Sequence, residues 1–246
     1  FLSHMLLRTV SGMTRQNRRD FLRTIGIGTT GAFASAYVAD PAAAATITVE
    51  GGGEDIWNDS DEFHYYYTEV DGDFDVTVQV DSLQNTDDWA RAGLMVRQTL
   101  DGDAEHAMVR KTPGHETSLQ WRSDDGEQAV STTSDGGSGE SEVSGGTVQA
   151  DYLRVVRSGD TIEGYGSTDG SNWTLIADIS PGEIDFAGSA YVGLAVCNHD
   201  AGTLCTAEFS ELSGLSPTSN TDIGNVDVSG SVSEITTEPA LTVSTG

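Results

Sequence analysis

Lysine is almost missing from this chain: Lys111 is the only one in 246 residues, and 12 basic residues in all face 39 acidic ones, a formal charge of −27. So little positive charge argues against nucleic acid or an anionic membrane as partner, because neither is drawn to a negative field. No apolar run reaches the roughly 20 residues needed to span a bilayer. Apolar spacing of 3.6 is not sustained in any segment, which removes amphipathic helices from the folded part. There are two cysteines, none of them in a spacing with histidine that suits zinc, and no G-x-S-x-G elbow for a serine nucleophile.

The leader is what the chain does carry. Arg18-Arg19, within Asn17–Arg23, precede a weakly apolar stretch from Ile25 to Ala39, followed by Pro41 and Ala42–Ala45. A basic segment, a short apolar segment and a small-residue cleavage zone, in that order, read as a twin-arginine export signal. Gly26, Gly28 and Gly31 oppose reading the same stretch as a helix of the folded domain, at about 1 kcal/mol each. Residues 1–45 are therefore expected to be a flank plus signal peptide, handled by the twin-arginine export machinery, and the remainder to work outside the cell or on its surface. Without that leader, 7 basic and 37 acidic residues remain, a charge of −30. The Debye length falls from about 8 Å at physiological salt to about 3 Å at 1 M. Such a charge fits a protein adapted to concentrated salt.

From Thr46 onward the pattern has a period of two, with Gly, Asp and Ser between runs. It predicts eleven strands, at 46–49, 62–68, 74–80, 92–99, 106–110, 118–122, 152–157, 161–167, 174–179, 190–196 and 206–212. That makes an all-β sandwich or barrel of antiparallel sheets over residues 46–215. Residues 216–246, rich in Ser and Thr, read as a linker and the start of a further, truncated module, so that other domains of the same chain are expected partners. Cys197 and Cys205 fall at facing ends of two predicted strands, and their expected state is a disulfide across a hairpin; two small buried residues on neighbouring strands is the alternative.

Alternation places Arg91, Met95 and Arg97 on one face of their strand, with His106, Met108 and Arg110 together and Gln120 beside Arg122. Five of the seven basic residues after the leader lie within 32 positions, at Arg91, Arg97, Arg110, Lys111 and Arg122. Arginine offers bidentate hydrogen bonds to hydroxyl pairs, and indole or phenol rings stack on sugars. The predicted binding groove uses Arg97, His106, Arg110, Gln120 and Arg122, with Tyr66 and either Trp89 or Trp121 as aromatic neighbours. Ion pairing of the same arginines with nearby carboxylates is the alternative reading. Trp57 and Trp173 read as packing residues. No cofactor is expected; Asp71-Gly72-Asp73 with Asp75, and Asp101-Gly102-Asp103, leave a structural calcium ion as an alternative, although neither run has the full EF-hand pattern.

The ordered runs Asp55-Ile56-Trp57, Glu62–Tyr65, Asp88–Arg97, His106–Val109, Tyr152–Gly159, Ser167–Trp173 and Tyr191–Val196 resemble a secreted module of the concanavalin A-like lectin/glucanase superfamily. The resemblance covers about residues 46–213. It implies a jelly-roll sandwich with one concave sheet and a non-catalytic, lectin-like role toward a polysaccharide or surface glycan. A structural spacer without a small ligand, and a glycoside hydrolase, are the alternatives. Glu183-Ile184-Asp185 starts like the E-x-D-x-x-E signature of glucanases on this fold, but Gly188 stands where the acid/base residue belongs, so no catalytic residue is assigned.

Overall fold

The computed structural model describes residues 45–132, 146–186, 188–200 and 202–235. Arg18, Arg19 and the expected export signal lie outside them. Two antiparallel sheets of seven strands face each other, with no helix among the described residues. The first sheet runs, edge to edge, β12 (Thr174–Ile179), β11 (Thr161–Ser167), β10 (Tyr152–Ser158), β5 (Phe74–Leu83), β14 (Cys205–Ser213), β1 (Thr46–Gly51) and β16 (Ser231–Ile235). The second runs β15 (Ser219–Ile223), β4 (Phe63–Asp71), β13 (Ser189–Cys197), β6 (Arg91–Arg97), β7 (His106–Lys111), β8 (Ser118–Arg122) and β9 (Val130–Ser131). A small hairpin of β2 (Ile56–Trp57) and β3 (Ser60–Asp61) stands apart from both. This is a jelly-roll sandwich.

Alternation explains the first sheet directly. Along β5, Phe74, Val76, Val78 and Val80 are buried, and along β10 Leu153 and Val155 are, while their neighbours face water. These side chains meet Leu94, Val96, Val109, Leu119, Trp121, Val192 and Leu194 from the second sheet in the main core. The second sheet behaves differently: every residue of β6 and β8 is buried, and five of six in β7. Its far side carries a second core of Ile56, Phe63, Tyr65, Met95, Met108 and Ile223. Fully burying one such side chain contributes about 1.5–3 kcal/mol, enough to hold the β2–β3 hairpin against the sheet. The surface that alternation marks as the non-core face is therefore covered.

Residues 219–235, expected as linker and start of another module, instead complete the sandwich. β15 pairs with β4 on one sheet and β16 with β1 on the other. Both are edge strands, so few of their side chains reach an interior: Ile223 is buried, Val232 partly so, and the rest are Ser, Thr, Asn, Asp, Glu and exposed Ile235. The apolar alternation that marks an interior strand is absent there for that reason. Gly230 lets the connection between them cross His64, since a Cβ there would overlap the imidazole, and its N–H donates to Asp222 at 2.9 Å.

The two cysteines also depart from expectation: both are buried free thiols. β13 and β14 belong to opposite sheets, so residues 198–204 cross the sandwich edge and form no hairpin. Cys197 enters the second core and Cys205 the main one. Their thiols donate to different carbonyls, Gly53 at 3.3 Å and Gln84 at 3.2 Å.

Candidate functional site: an aromatic pocket beside a buried ion network

The register sets Arg97 opposite His106, and His106 opposite Arg122, across β6, β7 and β8. The three side chains do line up on one face. They are fully buried, however, and converge on one carboxylate, Asp61, delivered by the β2–β3 hairpin. Arg122 holds Asp61 through both oxygens, at 2.9 and 2.7 Å, and Arg97 reaches it at 3.2 Å. The remaining guanidinium donors go to backbone carbonyls: Arg122 to Trp57, Asn58, Ala104 and Glu127 at 3.0–3.4 Å, Arg97 to Thr99 at 2.8 Å and to Asp101. Burial alone would raise the Asp61 carboxyl, but the charges and hydrogen bonds of His106, Arg122 and Arg97 outweigh it and hold the pKa below the usual carboxylate value. Burial pushes His106 the other way, to about 4, against the pull of Asp61 and with the two guanidiniums adding to the fall. At neutral pH the imidazole is thus uncharged, and the arginines are what neutralise Asp61.

This arrangement corrects the predicted groove. Arg97, His106 and Arg122 tie the hairpin and the loops at 99–104 and 127 to the sheet, out of reach of any ligand. Gln120 does the same, donating to Ile56 O at 2.8 Å and accepting from Arg91 at 3.2 Å. Tyr66 lies on the opposite face, in the main core, with its hydroxyl on Pro217 O at 3.0 Å and on Glu234. Trp121 is likewise a core residue. Alternation puts Arg97, His106, Arg110, Gln120 and Arg122 on one face, as the structure does, but not Tyr66 or Trp121; nor does it show the cover, because a two-residue strand such as β3 leaves no periodic signal.

Arg110 and Trp89 are different. Together with Asp55, Trp57, Arg91 and His199 they line a pocket of about 220 Å3. The Arg110 guanidinium lies 5.4 Å from the centre of the Trp89 ring, whose other neighbour is the stacked His115 imidazole at 3.5 Å and 21°. Arg91 is anchored by Trp89 O, Ile56 O and Gln120, and turns its last amino group to Asp55 at 2.6 Å. His199, in the left-handed region at φ 55°, sets one ring nitrogen 3.3 Å from Asp55 and the other 3.3 Å from Asp87. The Asp55 hydrogen bond raises the His199 pKa in spite of partial burial. Burial raises the Asp55 carboxyl, yet Arg91 and His199 together bring it below its ordinary value. Asp55 is held as a carboxylate with part of its acceptor capacity open, which suits hydrogen bonding to hydroxyls better than donating a proton. Sequence alone marks Asp55 and Trp57 only through the run Asp55-Ile56-Trp57 of the family resemblance, with Trp57 as a packing residue, and gives His199 no signal, since these residues are joined only by folding.

The remaining candidates are placed plainly. Asp75 clamps Arg154 at 2.7 Å through both oxygens, and Asp73 accepts from Gly159 N at 2.8 Å. Among the described residues, no group of three or more His, Cys, Asp or Glu is arranged to hold a metal ion. Glu183 and Asp185 lie in the loop after β12, where Glu183 accepts from Ser180 N at 3.0 Å.

No protein-family model and no curated protein matches the chain. Among solved structures, a functionally unknown protein from Saccharomyces cerevisiae is similar, with 22% identity over 70% of this chain and 88% of its own, at a TM-score of 0.50. That likeness concerns the fold alone. The GH43 protein BlXynB from Bacillus licheniformis (13% identity, 56% of this chain, 26% of its own, TM-score 0.38) and the alginate lyase from Klebsiella pneumoniae (16%, 62% and 60%, 0.36) are more distant, and lend no argument.

Proposed function

We propose that this chain is an exported, salt-adapted, non-catalytic module of concanavalin A-like type that binds carbohydrate, one sugar residue of a polysaccharide or surface glycan entering the Trp89 pocket. The observation that carries this reading is the pocket's composition: two indoles, Trp57 and Trp89, beside the Asp55–Arg91 pair and Arg110. The C–H face of a sugar ring stacks on an indole, and adjacent hydroxyls match a carboxylate and a guanidinium held side by side. The volume is below the 300–1,000 Å3 or so of pockets for drug-sized ligands, the scale of a single ring. Export is supported by Arg18-Arg19 and the segment after them. The buried thiols fit an oxidising compartment without needing a bridge, since burial pushes Cys197 up to about 12 and Cys205 to about 11, away from the reactive thiolate.

Polysaccharide pull-down in molar KCl tests the reading, comparing the natural protein with Trp89→Ala. At least tenfold weaker retention with an unchanged melting temperature supports it. A stable protein that retains no polysaccharide in either form makes the sandwich a structural spacer, and turnover of a bound glycan would replace the binding role with a hydrolytic or lyase one.

A further inference from the structure

A cleft of about 770 Å3 is separate from the sugar pocket. It is lined by the end of β7 and the loop after it, Lys111–Thr117, by Thr147 and Gln149–Asp151, and by the end of β5 at Asp81–Leu83. His115 lines the cleft and stacks on Trp89, which lines the pocket, so a stacked imidazole–indole pair joins the linings of the two spaces. We propose that the cleft continues the sugar pocket, so that the module holds an extended, uncharged glycan chain across the His115–Trp89 stack. This inference rests on the pocket being a sugar site.

Three features support it. First, the walls are held before any ligand arrives. Thr112 Oγ1 accepts from His115 N at 3.1 Å, Gly114 N donates to Asp88 O at 3.0 Å, and Thr117 and Val148 exchange two backbone hydrogen bonds of 3.0 Å. Glu116 accepts from Gln149 at 3.2 Å and from Thr147. A preformed wall lowers the ordering cost of binding. Second, the cleft has room for several more rings if the pocket, at 220 Å3, takes one. Third, the charge selects the ligand. Asp81, Glu116 and Asp151 line the cleft against Lys111 alone, whose ammonium is already 2.5 Å from Asp151. Carboxylates, threonine hydroxyls and the Gln149 amide bind hydroxyls well, whereas a polyuronate or sulfated chain would meet like charge at contact distance, where even a 3 Å Debye length screens little.

Calorimetry in molar KCl with neutral oligosaccharides of one to six residues (cello-, laminari-, xylo- and chitin-derived series) and with oligogalacturonates of equal length tests the proposal. For at least one neutral series, affinity should rise tenfold or more from disaccharide to pentasaccharide. Thr147→Trp, which fills the cleft, should abolish that gain while leaving monosaccharide affinity intact, and Gln149→Trp serves if the first variant does not fold. Oligogalacturonates should bind at least tenfold more weakly than the best neutral series. Affinity that is flat beyond the disaccharide, a gain that survives the filled cleft, or equal binding of oligogalacturonates overturns the inference and leaves the pocket standing. If no saccharide of any length binds, the pocket reading itself has failed and the inference falls with it.

Discussion

Replacing Asp61 by asparagine keeps the shape of the residue at the centre of the buried network and removes its charge. Two guanidiniums, Arg97 and Arg122, both without solvent exposure, would lose their shared counter-ion, and the 2.7 and 2.9 Å bonds to Arg122 would weaken. Breaking a buried pair from one side costs about 3–5 kcal/mol, because an uncompensated charge stays behind. In a domain of this size each kcal/mol moves the melting temperature by about 2–4 °C, so a fall of roughly 6–20 °C is expected. The damage should spread to the pocket, because Asp61 fixes the hairpin that carries Ile56 and Trp57 and the adjoining Asp55. Thermal unfolding in molar KCl, followed by circular dichroism, measures the first effect, and glycan retention the second. A triple variant, Asp61→Leu with Arg97→Met and Arg122→Met, should regain much of the loss, since apolar replacement of a whole buried network is often neutral. If Asp61→Asn shifts the midpoint by under about 2 °C, the network is worth no more than an exposed ion pair, and the account of why the groove is closed is wrong.

Acid should destabilise the protein through His106. Its folded pKa, about 4, lies below the unfolded value of 6.5, so the unfolded chain binds the extra proton between those values. The stability contributed by the neutral imidazole is fully present above pH 6.5 and is lost as pH falls toward 4, an effect of order 3 kcal/mol; His106→Gln should flatten that part of a urea-midpoint profile. Ending the chain at Leu215 removes β15 and β16 together with buried Ile223 and should lower the melting temperature by 10 °C or more, whereas ending it at Ile235 should leave it unchanged. Thiol titration of the unreduced protein should give two reactive groups per chain in denaturant and almost none when folded; a count of zero in denaturant would reveal a bridge the fold does not contain.

The eleven predicted strands are all present, because each has at least one face against the main core and its alternation records that face. The five that were missed, β2, β3, β9, β15 and β16, are short or lie at edges, where burial demands little of the sequence. The site was half legible for a related reason. Period-two arithmetic fixes which side chains share a face, and Arg97, His106 and Arg122 do share one. It is silent on whether another segment lies over that face, because Asp61 arrives from a hairpin 36 residues before Arg97 in the chain. The surviving pair, Arg110 and Trp89, lines the pocket beside the hairpin, together with Trp57 from the hairpin itself. The spacing of Cys197 and Cys205 does not decide between a bridge and two buried thiols, because a strand–loop–strand pattern looks alike whether the chain turns back in its own sheet or crosses to the other.

Seven basic residues follow residue 45, and the fold places five of them inside: Arg91, Arg97, Arg110, Arg122 and Arg157 are all at least nine-tenths buried. The two nearer the surface, Lys111 and Arg154, are each paired with a carboxylate, Asp151 and Asp75. Positive charge is thus used for holding loops and lining one pocket, and the solvent-facing surface is left almost wholly acidic. Dilute salt should then destabilise the folded state through self-repulsion that the interior cations, facing inward, do little to offset. The same distribution bears on the ligand. On the proposed reading, a glycan that approaches across such a surface and lies along a cleft with three carboxylates gains nothing from charge of its own, which would leave its recognition to stacking on indole and to hydrogen bonds with hydroxyls.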